Sequence, residues 1–220
     1  MKYIEKEKLW TKIVRDVCKS NGWKFKSFFA YKIVGEHFFC SYFFVRRGKN
    51  VISGFSGYKP MNIDNVFWDI INEPLCKERP LSHRGDAVFC VREYCYFEYE
   101  YEIKDELNPK SEIEELLKII DIQVIKKSNI TWNMAVFRNE LLENEKFNTT
   151  GIITSFIAQG HFEKALSKIE EYRLKKIPAG LGFGDKDFYD VAKEYCEKNI
   201  RNKNSPRVKL QWFKERNLLN

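Results

Sequence analysis

The chain has 220 residues, of which 44% are hydrophobic and 31% are charged. This length suits one or two compact domains, and the composition excludes disordered, collagen-like and low-complexity proteins. The sequence contains no apolar run of about 18 residues, so it predicts no membrane-spanning helix. Its opening segment, MKYIEKEKLW, has no signal-peptide core, so we expect a cytoplasmic protein.

The formal net charge is +7, and basic residues are concentrated near the C-terminal end. Residues 193–220 contain 8 Lys or Arg residues against 3 Asp or Glu residues. We interpret this segment as Lys-rich helix that docks through Trp212 and gives only weak, non-specific polyanion binding. Binding of nucleic acid by the same basic segment is the alternative.

Six cysteines are scattered through the chain without the CxxC spacing that is typical of zinc sites. Most of them fall within apolar patterns, and no export signal accompanies them. The sequence therefore predicts six free thiols, with no metal site and no cofactor. The six are Cys18, Cys40, Cys76, Cys90, Cys95 and Cys196.

In the first half of the chain, a helical pattern over residues 4–19 precedes a strand-rich block. Alternating apolar residues predict strands over 23–34, 37–45 and 51–58, and a short helix begins near Asn62. A fourth and longer strand is predicted from Ala87 to Ile103. Glu93 interrupts its apolar face, so we expect a β-bulge at Arg92–Tyr94 that turns Glu93 toward solvent.

The second half of the chain has helical periodicity throughout. Asn108-Pro109 opens the first helix of this half, and a break is expected near Ser128–Thr131. Ala179–Asp185 contains three glycines, but helix precedes it, so it predicts a connection between helices and not a phosphate-binding loop. We therefore expect an α+β fold, with a mainly antiparallel sheet of about four strands covered by helices and a helical C-terminal region. Residues 1–104 would form the sheet domain and residues 105–220 the helical region.

The most polar segment near the aromatic strands is the loop from Glu78 to Asp86. Together with Glu93, its side chains could bind an anion or carry out acid–base chemistry. The alternative interpretation is a connecting loop whose charges pair locally. The candidate binding residues are Arg79, His83, Arg84, Asp86 and Glu93.

Two segments are similar to known proteins. Ala158 and the run Gly160-His-Phe-Glu-Lys-Ala-Leu166 resemble the helix–turn–helix core of a tetratricopeptide repeat, which implies one packed helical hairpin. The first helix, Asn21-Gly22 and the aromatic strands resemble the opening of small bacterial α+β proteins, some of which act as interaction or immunity partners.

No catalytic signature appears in the sequence. We therefore favour a non-enzymatic binding or interaction protein with a protein partner. Nucleic-acid binding by the basic segment is the first alternative, and an enzyme with its site at the Glu78–Asp86 loop is the second.

Overall fold

The computed structural model describes residues 3–85, 89–130 and 133–204, which divide into two compact units. Within these ranges the first unit contains residues up to 64 and those from 79 to 133, and the second contains residues 65–78 and those from 134 onward. The expected α+β class is confirmed. The boundary that the sequence analysis places between residues 104 and 105 lies within the first unit. No helix in the described ranges is both long and apolar enough to cross a membrane.

The first unit is built on a five-stranded antiparallel sheet in the order β1-β2-β3-β4-β5. Helix α2, Met61–Ile70, follows β4 directly and continues into the second unit. A short 3₁₀ helix, Leu81–Gly85, lies between α2 and β5. The other elements of this unit are α1 (Tyr3–Ser20), β1 (Lys24–Lys26), β2 (Phe29–Val34), β3 (His37–Val45), β4 (Val51–Pro60), β5 (Tyr94–Glu102) and α3 (Lys110–Ser128).

The fifth strand arises because the predicted strand over 23–34 is a hairpin. Lys26 pairs with Phe29, and Ser27 adopts a positive φ of 55° in the two-residue turn between them. The odd-numbered apolar residues therefore lie on opposite faces before and after the turn, since paired residues share a face. The prediction of one continuous strand was wrong because apolar alternation continues through a two-residue turn.

Helices α1 and α3 pack on each other and cover one face of this sheet. Helix α1 buries Trp10, Val14 and Val17 at helical spacing, and the indole N–H of Trp23 donates to Asp121 of α3 over 3.1 Å. The Lys127 ammonium of α3 lies 5.4 Å from the centre of the Tyr58 ring. Tyr58 and the other side chains on the same face of the sheet therefore lie beneath α1 and α3.

The opposite face contains a cluster of buried side chains that consists of Phe29, Tyr31, Phe38, Cys40 and Tyr42. Met61 and Leu81 pack against it. The segment that contains the short 3₁₀ helix thus covers this end of the face. The other end, toward the last residues of β3, carries exposed aromatic side chains.

The second unit is helical, as expected for the C-terminal region. Helix α5 packs on α4, α6 and α7, and the predicted α5–α6 hairpin turns at Gly160, which has a φ of 70°. Two more 3₁₀ helices are Pro74–Glu78 and Glu145–Phe147. The glycine-rich segment forms a small hairpin of β6 (Gly182–Phe183) and β7 (Lys186–Asp187). The helices are α4 (Met134–Leu142), α5 (Thr149–Ala158), α6 (Phe162–Leu174) and α7 (Phe188–Asn204).

Candidate functional site

The structure places the residues that the sequence analysis groups as a site in different environments. Arg79 is exposed and His83 is half-buried, whereas Arg84 and Glu93 are buried. Asp86 lies outside the described residues, as does Trp212 of the basic segment. Arg84 and the adjacent Gly85 therefore belong to the interior of the first unit, whereas Arg79 faces solvent.

Arg84 is held in a buried ionic cluster around Lys59. The Lys59 ammonium donates to Asp64 Oδ1 (3.0 Å), the Arg84 carbonyl (2.5 Å) and the Val91 carbonyl (2.6 Å). An ammonium has three donors, and each of them has an acceptor here. Burial alone would lower the pKa of Lys59, but the attraction of Asp64 raises it above its usual value, so Lys59 stays protonated.

Asp64 completes the cluster from the first turn of α2. Its carboxylate accepts from the Val91 N–H (2.9 Å) and from Arg84 Nη1 (3.3 Å), which also donates to the Met61 carbonyl (2.7 Å). Burial raises the pKa of Asp64, and the two cations oppose that shift. These groups bind one another and fix the chain around Arg84 and Val91 to the start of α2. The cluster therefore acts as a structural clamp.

Glu93 lies close to this cluster but forms fewer contacts. It is only 6% exposed, and its Oε2 atom has no hydrogen-bond partner among the described residues. Burial, followed by the Glu93 carboxylate, raises the pKa values of Cys40 and Tyr42. Both groups are therefore neutral at physiological pH.

The predicted bulge at Arg92–Tyr94 was wrong in its position and in its effect on Glu93. β5 begins at Tyr94, and the pairing shifts at Tyr96, because Ser56 pairs with Phe97 whereas Gly57 pairs with Cys95. This extra residue places Glu93 on the face opposite Phe97, where it is buried against Gly57 and not turned to solvent.

An open concavity lies on the same sheet face, at the other end of β3, β4 and β5. Its volume is about 440 Å³, within the ~300–1,000 Å³ that is common for ligand sites. We call it the β3–β5 depression. Its lining residues are Phe44, Arg46, Ser53, Gly54, Phe55, Glu98, Tyr99 and Glu100.

The strand register orders the side chains of the β3–β5 depression. Ser53 pairs with Phe44 on one side and with Glu100 on the other, and Phe55 pairs with Glu98. Directly paired residues on one face have Cβ atoms about 4.5–5.5 Å apart. The small Ser53 side chain is thus a notch between an aromatic ring and a carboxylate.

Ser53 is the most unusual polar group in the β3–β5 depression. The residue is 4% exposed, and its hydroxyl oxygen has no hydrogen-bond partner in the described part of the chain. A buried hydroxyl normally finds a partner, because an unsatisfied one costs about 1–3 kcal/mol. The hydroxyl oxygen is itself buried, so a bound group can bond to it only when one of the lining side chains moves aside.

Aromatic side chains border the notch. Phe44 is 40% exposed and Phe28 is 49% exposed, and their ring centres are 5.8 Å apart. Phe44 and Arg46 also line a second cavity of about 640 Å³ that contains Phe28 and Arg47. Exposed rings held on a sheet are typical of binding surfaces, because they offer contact area with little loss of side-chain freedom.

Hydrogen bonds from Tyr99 hold the strand backbone beside the notch. The Tyr99 hydroxyl donates to the Tyr42 carbonyl over 2.5 Å and lies 3.2 Å from the Ser41 hydroxyl. A Cβ atom on Gly54 would lie 2.6 Å from the Tyr99 oxygen, so only glycine leaves room for this ring. The strand backbone under the depression is thus held by a side chain from the opposite face.

Comparison with known proteins found no matching family model, curated protein or solved structure. The described residues contain no group of three or more His, Cys, Asp or Glu side chains placed to hold a metal ion. All six cysteines are free thiols.

Sequence reasoning missed both Lys59 and Ser53. The alternation in β5 does place Glu98 and Glu100 on one face, and this was a usable signal. Strand pairing, which sets these carboxylates beside Ser53 and Phe55, could not be derived from the separate strands.

Proposed function

We propose that this chain is a binding protein that holds a protein partner on the β3–β5 depression. One observation carries the proposal: exposed aromatic rings stand beside a buried hydroxyl that has no partner among the described residues, on a sheet whose backbone accepts a hydrogen bond from Tyr99. Protein interfaces are enriched in aromatic anchors that surround desolvated polar groups. The depression combines these features on one face.

The chemistry of the lining residues favours binding over catalysis. A serine nucleophile needs a base within hydrogen-bond distance, and the Ser53 hydroxyl has no such neighbour among the described residues. In the buried cluster, Lys59 and Asp64 are fully engaged with each other and with backbone groups. These groups support the fold, so the enzyme alternative is disfavoured.

Selection from a random peptide display library on the full chain tests this function. Each enriched peptide is then measured against Phe44→Ser, which alters the rim of the depression. Phe147→Ser is the matched control, because Phe147 is even more exposed, at 73%, and lies in the second unit. We expect binding to be lost with Phe44→Ser alone. Enriched peptides that bind both variants as tightly as the unchanged chain would refute the proposal.

A further inference from the structure

We infer that the partner inserts a cationic side chain, arginine or lysine, into the β3–β5 depression above Ser53. The Phe44 ring would lie on one side of the cation, and the carboxylates of Glu98 and Glu100 on the other. This inference rests on the proposed function and specifies the chemistry of the partner.

The register supplies three kinds of recognition for a cation. The Ser53 hydroxyl is a buried oxygen that can accept an N–H once a lining side chain moves aside, and no described residue competes for it. Phe44, which pairs with Ser53, presents an exposed ring that attracts a cation through its π-electrons. Glu100, the other neighbour of Ser53, adds a charged acceptor.

The two carboxylates are not paired with any cation in the part of the chain that the structure describes. Within the described residues, neither Glu98 nor Glu100 has an ion-pair partner within 4.0 Å. Glu98 receives only a long contact of 3.9 Å from the Cys95 thiol. Arg46 lines the same depression without pairing with either, so two negative charges against one positive charge leave an excess of one negative charge. A guanidinium or ammonium can therefore gain both acceptors without displacing any described side chain.

The overall charge of the chain opposes non-specific binding of a cationic probe. At a net charge of +7, the protein repels cations at long range. At 0.15 M salt this repulsion is screened beyond about 8 Å, so binding of a cationic probe depends on local acceptors. A general attraction for polyelectrolytes would instead favour an acidic probe.

The test measures binding of fluorescently labelled hexaarginine amide to the full chain at 0.15 M salt, with labelled hexaglutamate as the opposite probe. We expect hexaarginine to bind more tightly than hexaglutamate. Glu98→Gln/Glu100→Gln should weaken hexaarginine binding about tenfold or more, because it removes two charge-assisted acceptors. Ser53→Ala should weaken it about threefold to tenfold. Glu102→Gln, on the same strand but outside the lining, should change it by less than about twofold.

Equal hexaarginine affinity in the unchanged chain and the double variant would overturn the inference, provided that both unfold at the same temperature. Tighter binding of hexaglutamate, or an equal loss with Glu102→Gln, would overturn it as well. The peptide selection separates the two proposals. Enriched peptides that lose binding with Phe44→Ser but contain no arginine or lysine would support the proposed function and refute the cationic partner. If no enriched peptide loses binding with Phe44→Ser, both the proposed function and the cationic partner are refuted.

Discussion

Glu93 packs directly on Gly57, on the sheet face opposite α1 and α3. A Cβ atom on residue 57 would lie 2.4 Å from Glu93 Cγ and 3.0 Å from Glu93 Cβ. The glutamate therefore occupies space that only a glycine on β4 leaves open. This pairing explains how a carboxylate outside the ladder becomes buried against the sheet.

We expect Gly57→Ala to lower the free energy of unfolding by about 1–3 kcal/mol, because the added methyl group overpacks the site that Glu93 occupies. Urea denaturation measures the change. Gly182→Ala is the control, since a Cβ atom there would meet nothing within 4 Å. Equal losses of stability in the two variants would show that a methyl group at residue 57 does not overpack Glu93.

The sequence predicted local elements more successfully than the relations between strands. Apolar spacing located α1 and the helical second half, because a helix buries a stripe that is visible in the chain itself. Glu93 and Phe97 share parity in the sequence, yet the extra residue at Tyr96 places them on opposite faces. No local signal identifies Tyr96 as the bulge, because its position depends on pairing with Ser56 and Gly57. An irregularity in this strand was correctly expected, but its position along the strand depends on tertiary contacts.

Lys59 shows the same limit for charged residues. A lysine at the end of a predicted strand is normally solvent-exposed, so its burial follows only from Asp64 and the chain around Arg84. We expect Lys59→Met to destabilise the protein by about 3–5 kcal/mol, since it leaves Asp64 buried without its main counter-ion. Thermal and urea denaturation measure the loss. Lys110→Met, which breaks the exposed pair with Glu114, should cost less than about 0.5 kcal/mol. Similar losses for both variants would contradict the clamp.

His37 should make stability depend on pH. Burial lowers the pKa of His37 below its usual value, with Glu36 acting in the opposite direction. Between the lowered folded value and about 6.5, the unfolded chain binds more protons, so the free energy of unfolding falls as the pH drops through this window. His37→Gln should flatten this slope, which urea denaturation at several pH values between about 7 and 5.5 measures. A slope that persists in His37→Gln would assign it to another group.

Cys95 is expected to react first among the six thiols. It is half-buried, whereas the other five are buried, and burial raises the pKa of Cys90 to about 11 and those of Cys18 and Cys196 to about 12. Burial and then Glu98 raise the pKa of Cys95 itself. Glu98→Gln should therefore lower that pKa and accelerate alkylation of Cys95 at pH 8, because more thiolate is present.

Iodoacetamide labelling followed by peptide mass spectrometry measures the Cys95 rate, with Glu102→Gln as the control on the same strand. An unchanged alkylation rate in Glu98→Gln would show that the Glu98 carboxylate does not control the reactivity of the Cys95 thiol. Thiol counting on denatured, unreduced protein should recover all six cysteines. Recovery of two or fewer thiols would contradict the prediction that the cysteines are reduced.

Ser53 should improve stability when it is changed to alanine, in contrast to most buried residues. The substitution removes a hydroxyl without a described partner and leaves a side chain of nearly the same size. We expect the free energy of unfolding to rise by about 1 kcal/mol, because the desolvation penalty of the hydroxyl disappears. Ser56→Ala on the same strand is the matched control. Its buried hydroxyl donates to Ser41 over 3.0 Å, so that change should destabilise the protein by about 1 kcal/mol. Urea denaturation of both variants separates the two cases. A loss of stability in Ser53→Ala would mean that the hydroxyl supports the fold, and the binding role assigned to it would then lack its physical basis.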